Sequence, residues 1–334
     1  MTLTVPAEWA PHKAMWLGYP SHADLWLEDL EPAREEVAAL VRALAGPGRE
    51  RVRLMVCGEE AEAHARRRLG GVPGVRIAPG QFGDIWLRDT GPIFLAGEGG
   101  PRAAGFEFNG WGGKYLLQGD ETVARQIAEA SDTALDEHPF VLEGGALDHD
   151  GRGTILTTRQ CLLNPNRNPG WTQERAEAAL AASLGARKVL WLDEGLLNDH
   201  TDGHVDNLAR FVAPGVVACP IGWGADDPNT DIYGAAARAL AGMTDADGAP
   251  LKVVRIPSPG LVVDEDGEPA AASHMNFLIA NGAVICPTYD EAAGAMAVRA
   301  LTELFPGREV LGLPARAILT GGGSFHCITQ QEPA

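Results

Sequence analysis

Cys327 follows three glycines in the run Gly321-Gly322-Gly323-Ser324-Phe325-His326-Cys327-Ile328-Thr329-Gln330-Gln331. Glycines let a backbone turn sharply and approach a ligand closely, and the first reactive side chain beyond them is a thiol. Cys327 therefore reads as a nucleophile, whereas Cys57, Cys161, Cys219 and Cys286 read as small buried hydrophobes. His326 is not the expected base, because adjacent residues of an extended stretch face opposite ways. The base must come from another segment.

Three other segments carry reactive side chains. In Phe82-Gly83-Asp84-Ile85-Trp86-Leu87-Arg88-Asp89-Thr90-Gly91-Pro92 a carboxylate stands beside an aromatic plane and a turn. That suits a flat cation, which stacks its face on the ring and donates hydrogen bonds from its edge; an Arg88-Asp89 structural pair is the plainer alternative. Glu143-Gly144-Gly145 follows an apolar run, where a carboxylate can orient a histidine or meet a ligand. In Asn198-Asp199-His200-Thr201-Asp202-Gly203-His204-Val205-Asp206-Asn207, an extended backbone puts His204 and Asp206 on one side, so a base and an anion face one pocket. His204 is the best partner for Cys327. The same stretch admits metal ligation by His200, Asp202, His204 and Asp206. The H-E-x-x-H spacing of helical zinc hydrolases is absent, however, and Asp202-Gly203 interrupts the helix that His-to-His spacing needs. No metal and no cofactor is expected.

The elements that must position these residues alternate along the chain, which reads as an α/β fold. Val37, Leu40, Val41 and Leu44 share a helical face that Gly46 ends, and Arg51 to Cys57 reads as a strand. Thr172 caps a helix that runs to Gly185, followed by a strand from Val189 to Leu192. Ala237 to Leu240 and Glu291 to Leu304 lie in further helices. Two strand pairs without an intervening helix are expected: Phe140-Val141-Leu142 with Thr154-Ile155-Leu156, and Phe277-Leu278-Ile279 with Val284-Ile285-Cys286 across the turn Asn281-Gly282. No linker, low-complexity segment or tight repeat interrupts residues 1–334, so one domain is expected.

The 334 residues are 45% hydrophobic with a formal charge of -18. That charge argues against nucleic acid or an anionic membrane as partner and steers a small cation inward. From Leu190 to Ala270 fourteen Asp or Glu face four Arg or Lys, although the run Asp264-Glu265-Asp266-Gly267-Glu268 reads as a solvated loop. Charged residues or proline interrupt every apolar run, and the start shows no basic leader before an apolar segment. Five thinly spread cysteines make neither a disulfide framework nor a zinc site. A cytoplasmic protein is expected.

Taken in order, these segments resemble the agmatine deiminase family, which is grouped with the Porphyromonas-type peptidylarginine deiminases. The resemblance runs from Glu8-Trp9-Ala10-Pro11-His12 through Trp86-Leu87-Arg88-Asp89-Thr90-Gly91-Pro92, Asn109-Gly110-Trp111-Gly112-Gly113-Lys114-Tyr115, Leu162-Leu163-Asn164-Pro165-Asn166-Arg167-Asn168-Pro169 and Gly203-His204-Val205-Asp206-Asn207 to the Cys327 segment. It implies the pentein fold, a five-unit pseudo-symmetric α/β propeller, and cofactor-free chemistry on guanidinium groups. It also implies roles: Cys327 as nucleophile, His204 as general acid and base, Glu143 positioning the histidine, and Asp89 with Asp206 clamping the guanidinium. Trp86 walls the pocket, and Asp84 and Trp111 join the substrate-binding residues. Agmatine is the implied substrate, with a homodimer as the mild expectation.

One departure bears on substrate choice. Family members carry an acidic residue a few positions before the catalytic histidine, able to meet the far amine of agmatine; here the stretch reads Asp199-His200-Thr201-Asp202. Asp199 or Asp202 then has to substitute, and His200 weakens selection for a terminal amine. Another guanidine, arginine, or amidino transfer to an amine are the neighbouring reactions. A peptidylarginine enzyme is expected to carry a secretion signal. A protein that binds cations without turning them over needs no thiol.

Overall fold

The computed structural model describes residues 3–97 and 99–334. Its strands form five separate small sheets. β1 (His12–Gly18), β2 (Val52–Val56) and β3 (Val75–Pro79) run parallel, with the helices Leu30–Ala45 and Glu59–Leu69 as crossovers. Val37, Leu40, Val41 and Leu44 bury the expected face of the first helix, and Gly46 caps it.

The next four sheets share one plan: a short strand antiparallel to a second, a helix, and a third strand parallel to the second. They are β4 (Ile93–Leu95), β5 (Arg102–Glu107) and β6 (Ala134–Val141); β7 (Asp148–His149), β8 (Thr154–Thr158) and β9 (Lys188–Leu192); β10 (Arg210–Ala213), β11 (Val216–Ile221) and β12 (Lys252–Pro257); and β13 (Leu278–Ile279), β14 (Ala283–Thr288) and β15 (Glu309–Pro314). Their crossovers are the helices Val123–Ala130, Gln173–Leu184, Thr230–Ala241 and Glu291–Leu304. Thr172 caps the second of these by accepting the Arg175 N–H at 3.3 Å, and Asp290 caps the last through the N–H groups of Ala292 and Ala293. The final strand, β16 (Thr329–Pro333), returns to pair antiparallel with β1, giving the first sheet its own antiparallel edge.

The hairpin across Asn281-Gly282 forms. The expected pairing of Phe140–Leu142 with Thr154–Leu156 does not. β6 lies beside β5, and β8 takes β7 and β9 as its neighbours. The turn Gly144–Ala146 delivers the two-residue β7, which occupies the β8 edge first. So short a strand has no period to read.

Each antiparallel edge strand is preceded by a tight turn, and these five turns touch one another in sequence. They are Leu87–Thr90, Gly144–Ala146, Val205–Asn207, His274–Asn276 and the loop ending at Cys327. Gly145 N donates to Asp89 Oδ1 at 2.9 Å, and Gly145 also lies against His204 and Asp206. Asn276 Nδ2 donates to Asn207 Oδ1 at 2.9 Å, and its Oδ1 accepts the His326 N–H at 2.8 Å. Arg88 N donates to Cys327 O at 3.0 Å and returns the path to its start.

Candidate active site

All five turns deliver a polar side chain to one buried place. Asp89 comes from the first, Glu143 from just before the second, His204 and Asp206 from the third, Asn276 from the fourth and Cys327 from the fifth; all are buried. Cys327 and Asp89 are thus 238 positions apart in sequence, yet their turns are adjacent at a unit junction.

Cys327 Sγ accepts from Asn276 Nδ2 at 3.1 Å and lies 3.7 Å from Asp206 Oδ2. On its other side Asp206 Oδ2 meets His326 Nδ1 at 2.8 Å. Phe325–Ile328 is a turn rather than an extended stretch, so strand alternation does not apply, and His326 and Cys327 meet the same carboxylate oxygen. His204 Nδ1 is 3.8 Å from Asp89 Oδ1, and neither ring nitrogen of His204 has a hydrogen-bond partner among the described residues. Donor atoms of Glu143 and His204 lie within 4.8 Å.

Asp89 is held by Trp111, whose Nε1 donates to Oδ2 at 2.9 Å, and by Gly145 N. It does not pair with Arg88, whose Nε donates to His326 O at 3.3 Å. Gly145 has to be glycine: a Cβ there sits 2.6 Å from His204 Nδ1, 2.8 Å from Asp89 Oδ1 and 3.1 Å from Asp206 Oδ2. Trp86 packs over the glycine run, since a Cβ on Gly323 meets its ring at 2.5 Å and Cys327 Cβ at 3.2 Å. Behind it stands Trp26, stacked at 6.3 Å.

Several sequence expectations change. His204 and Asp206 converge through a 3-10 turn rather than an extended run, because Asp202 and Gly203 both take positive φ, 63° and 86°, and fold the segment back. Asp84 does not face a cation: its oxygens accept Nε1–H from Trp26 at 3.0 Å and from Trp86 at 2.8 Å, which fixes the two indoles. Asp199 is likewise engaged, by the Thr201 N–H at 2.9 Å and Asn207 Nδ2 at 3.2 Å. Thr201 Oγ1 in turn accepts the His204 N–H at 3.0 Å. His200 is exposed, meets Tyr115 OH at 2.9 Å and stays outside the group of donor atoms that includes His204. Asp202 is taken by Lys114 and Arg167, both at 2.6 Å. A His200–His204 metal cluster is therefore not formed.

Residue spacing missed Arg167, Asn276 and His326 as parts of the site. Buried Arg167 donates to Glu143 Oε1 at 2.5 Å and to Thr201 O at 2.8 Å, joining the second turn to the third. It lies inside Leu162-Leu163-Asn164-Pro165-Asn166-Arg167-Asn168-Pro169, one of the stretches that carry the family resemblance, which gave it no role. Asn276 had no local signal.

With only protein groups around them, burial pushes the Cys327 thiol well up, with the nearby Asp206 adding to it, and pushes His204 well down. Burial, with Asp89 beside it, also raises Asp206 well above the carboxylate range. Asp89 rises to about 7, from burial first and the Glu143 charge second. The protein alone thus favours a neutral thiol and a neutral imidazole.

The family model for Porphyromonas-type peptidyl-arginine deiminase matches residues 4–333. The agmatine deiminase of Stutzerimonas stutzeri (strain A1501) is 41% identical, with 99% of this chain and 95% of that protein covered. Among solved structures, the agmatine deiminase of Enterococcus faecalis has a TM-score of 0.93 at 33% identity, covering 99% of this chain and 96% of its own. That of C. jejuni, in a Cys-to-Ser variant with substrate bound, has a TM-score of 0.90 at 26% identity, covering 100% and 97%. Matched over nearly its whole length by the family model and by a relative above two-fifths identity, the chain belongs to the Porphyromonas-type peptidyl-arginine deiminase family.

Proposed function

We propose that the chain hydrolyses agmatine to N-carbamoylputrescine and ammonia through a covalent Cys327 intermediate. The observation that carries this reading is the convergence of Cys327, His204, Asp89 and Asp206 at the unit junctions. A guanidinium is a delocalised cation and a poor electrophile, so it has to be fixed and attacked by something better than water. Asp89 and Asp206 accept its N–H groups and aim its central carbon at Cys327 Sγ. The bound cation lowers the pKa of the thiol and of both carboxyls, reversing the effect of burial. The thiol proton passes to His204.

Sulfur then bonds to the central carbon to give a tetrahedral adduct. His204 returns the proton to the departing nitrogen, the C–N bond breaks, and ammonia leaves behind an amidino thioether. Neutral His204 takes a proton from water as the oxygen adds to that carbon; the C–S bond breaks, and the ureido product and the thiol result. Glu143, fixed by Arg167, positions His204. His326 and Asn276 position Asp206 and Cys327, and Trp86 with Trp111 walls the cation.

The five repeated units and the ring of turns support a closed pentein propeller comprising one catalytic domain, residues 1–334. Asp89, Glu143 and Asp206, one from each of three turns, make the pocket a site for a small cation. No helix among the described residues is long and apolar enough to cross a membrane. Thinly spread free cysteines support a reducing, cytoplasmic setting, and symmetric dimers are common enough to make a homodimer the working assembly.

Exposed His200, stacked on Tyr115, favours a second reading in which the distal group is something other than a primary amine. The test of both readings is ammonia release from agmatine and other guanidines in excess EDTA, with Cys327→Ser in parallel. Agmatine turnover lost in the variant and indifferent to EDTA supports the first reading. Cys327-dependent turnover of a different guanidine supports the second, and activity that survives Cys327→Ser refutes the thiol mechanism.

A further inference from the structure

Cys161, read from sequence as a bland core thiol, lies against the proposed base and has no part in the reaction. It sits in the short helix Arg159–Leu162, whose cap Thr158 accepts the Cys161 N–H at 3.3 Å. The Thr158 hydroxyl donates to Gly203 O at 2.6 Å, so the thiol and the His204 turn are fastened to one another. One donor atom each from Glu143, Cys161 and His204 lies within 4.8 Å of the others, and all three residues are buried. Independently, both ring nitrogens of fully buried His204 are without a hydrogen-bond partner among the described residues.

A thiolate, an imidazole and a carboxylate are the donor types zinc takes, and three protein ligands with a fourth position open to the pocket is a familiar arrangement for it. A tetrahedral ion would draw the donors to about 3.5 Å apart, a closure within side-chain reach. Arg167 opposes a cation here, but it also fixes Glu143, and Asp202, paired with it at 2.6 Å, offsets its charge.

We propose that Glu143, Cys161 and His204 form an inhibitory site for a thiophilic divalent cation such as Zn2+, distinct from the nucleophile Cys327. As the metal–sulfur bond forms, the Cys161 proton leaves to solvent with no change of oxidation state, so affinity rises with pH. Inhibition follows because the occupied imidazole cannot carry the proton of the leaving group. That consequence rests on the role of His204 proposed above; the site itself does not.

The test is Co2+ titration of Cys327→Ser, of Cys161→Ser and of the double variant, watched by the thiolate-to-cobalt charge-transfer absorption. The site predicts the band in Cys327→Ser and its absence from the other two. In activity assays, Cys161→Ser should keep turnover, which also reports its folding, while Zn2+ inhibition weakens at least about tenfold. A band that persists in Cys161→Ser, no band in Cys327→Ser, or Zn2+ inhibition unchanged in turnover-competent Cys161→Ser overturns the proposal. The cobalt readout needs no turnover, so its failure and that of the proposed reaction are separable.

Discussion

Asp206 Oδ2 is shared between the Cys327 thiol and the His326 ring, so the carboxylate proposed as a cation clamp is itself held. Cys327→Ser should lower turnover by more than about 10³-fold while guanidine binding, followed by calorimetry, persists. Asp206→Asn should cost on the order of 10²-fold in rate. For His326 the expected loss lies in binding: His326→Leu should raise KM roughly tenfold with a smaller change in kcat, and His326→Asn, which keeps an N–H donor near the Nδ1 position, should recover most of it. Equal loss in both variants would mean a packing role only. Asp89 supplies a pH test. Its pKa, raised to about 7, keeps the folded protein protonated where the unfolded chain has already ionised. Its contribution to stability therefore declines as pH rises from the unfolded value towards 7 and levels off above. Cation binding moves the opposite way, tightening as pH rises through about 7, and Asp89→Asn should flatten that profile.

At the scale of elements, the site depends on turns that leave no room for side chains. Gly145→Ala puts a methyl group among His204, Asp89 and Asp206, so activity should fall by at least about 10²-fold while circular dichroism keeps the parent's spectrum and stability drops by only about 1–3 kcal/mol. Trp111 adopts the left-handed region, φ 53° and ψ 49°, in a loop of positive-φ glycines, and it spends that strain on one hydrogen bond to Asp89. Two of the crossover helices were legible through signals of their own: the Val37, Leu40, Val41, Leu44 face with Gly46, and the Thr172 cap with Gly185. Among the edge strands, β13 was legible through the Asn281-Gly282 turn that joins it to β14, whereas two-residue β7 was not, since it acquires its conformation from the neighbour it pairs with.

Across the whole molecule, the chain's two ends meet at the site. β16 pairs with β1, and Glu8 reaches inward to ion-pair with Arg210, accept the Ile279 N–H at 2.7 Å and approach His326 Nε2 at 3.4 Å. Arg210 also holds Asp148 and the carbonyls of Met275 and Phe277. Arg210→Met leaves two buried carboxylates unpaired and should destabilise by about 3–5 kcal/mol in denaturant unfolding. A chain ending at Ile328 loses the strand that anchors the Cys327 loop, so ammonia release should vanish even where a folded core remains; full activity in that truncation would refute the assignment of the site to this end. Residue chemistry by itself singled out Cys327 and His204 as candidates and the alternation of strand and helix, because reactivity and local periodicity are written in short stretches; the clamp roles of Asp89 and Asp206 came from the family resemblance. Only the tertiary structure decided that Asp84 and Asp199 brace the scaffold, that His200 stays outside, that Arg167, Asn276 and His326 stand inside, and that Cys161 lies against His204. The reason is physical: which groups surround a buried charge depends on how five turns, far apart along the chain, are brought together by the five sheets packed around them.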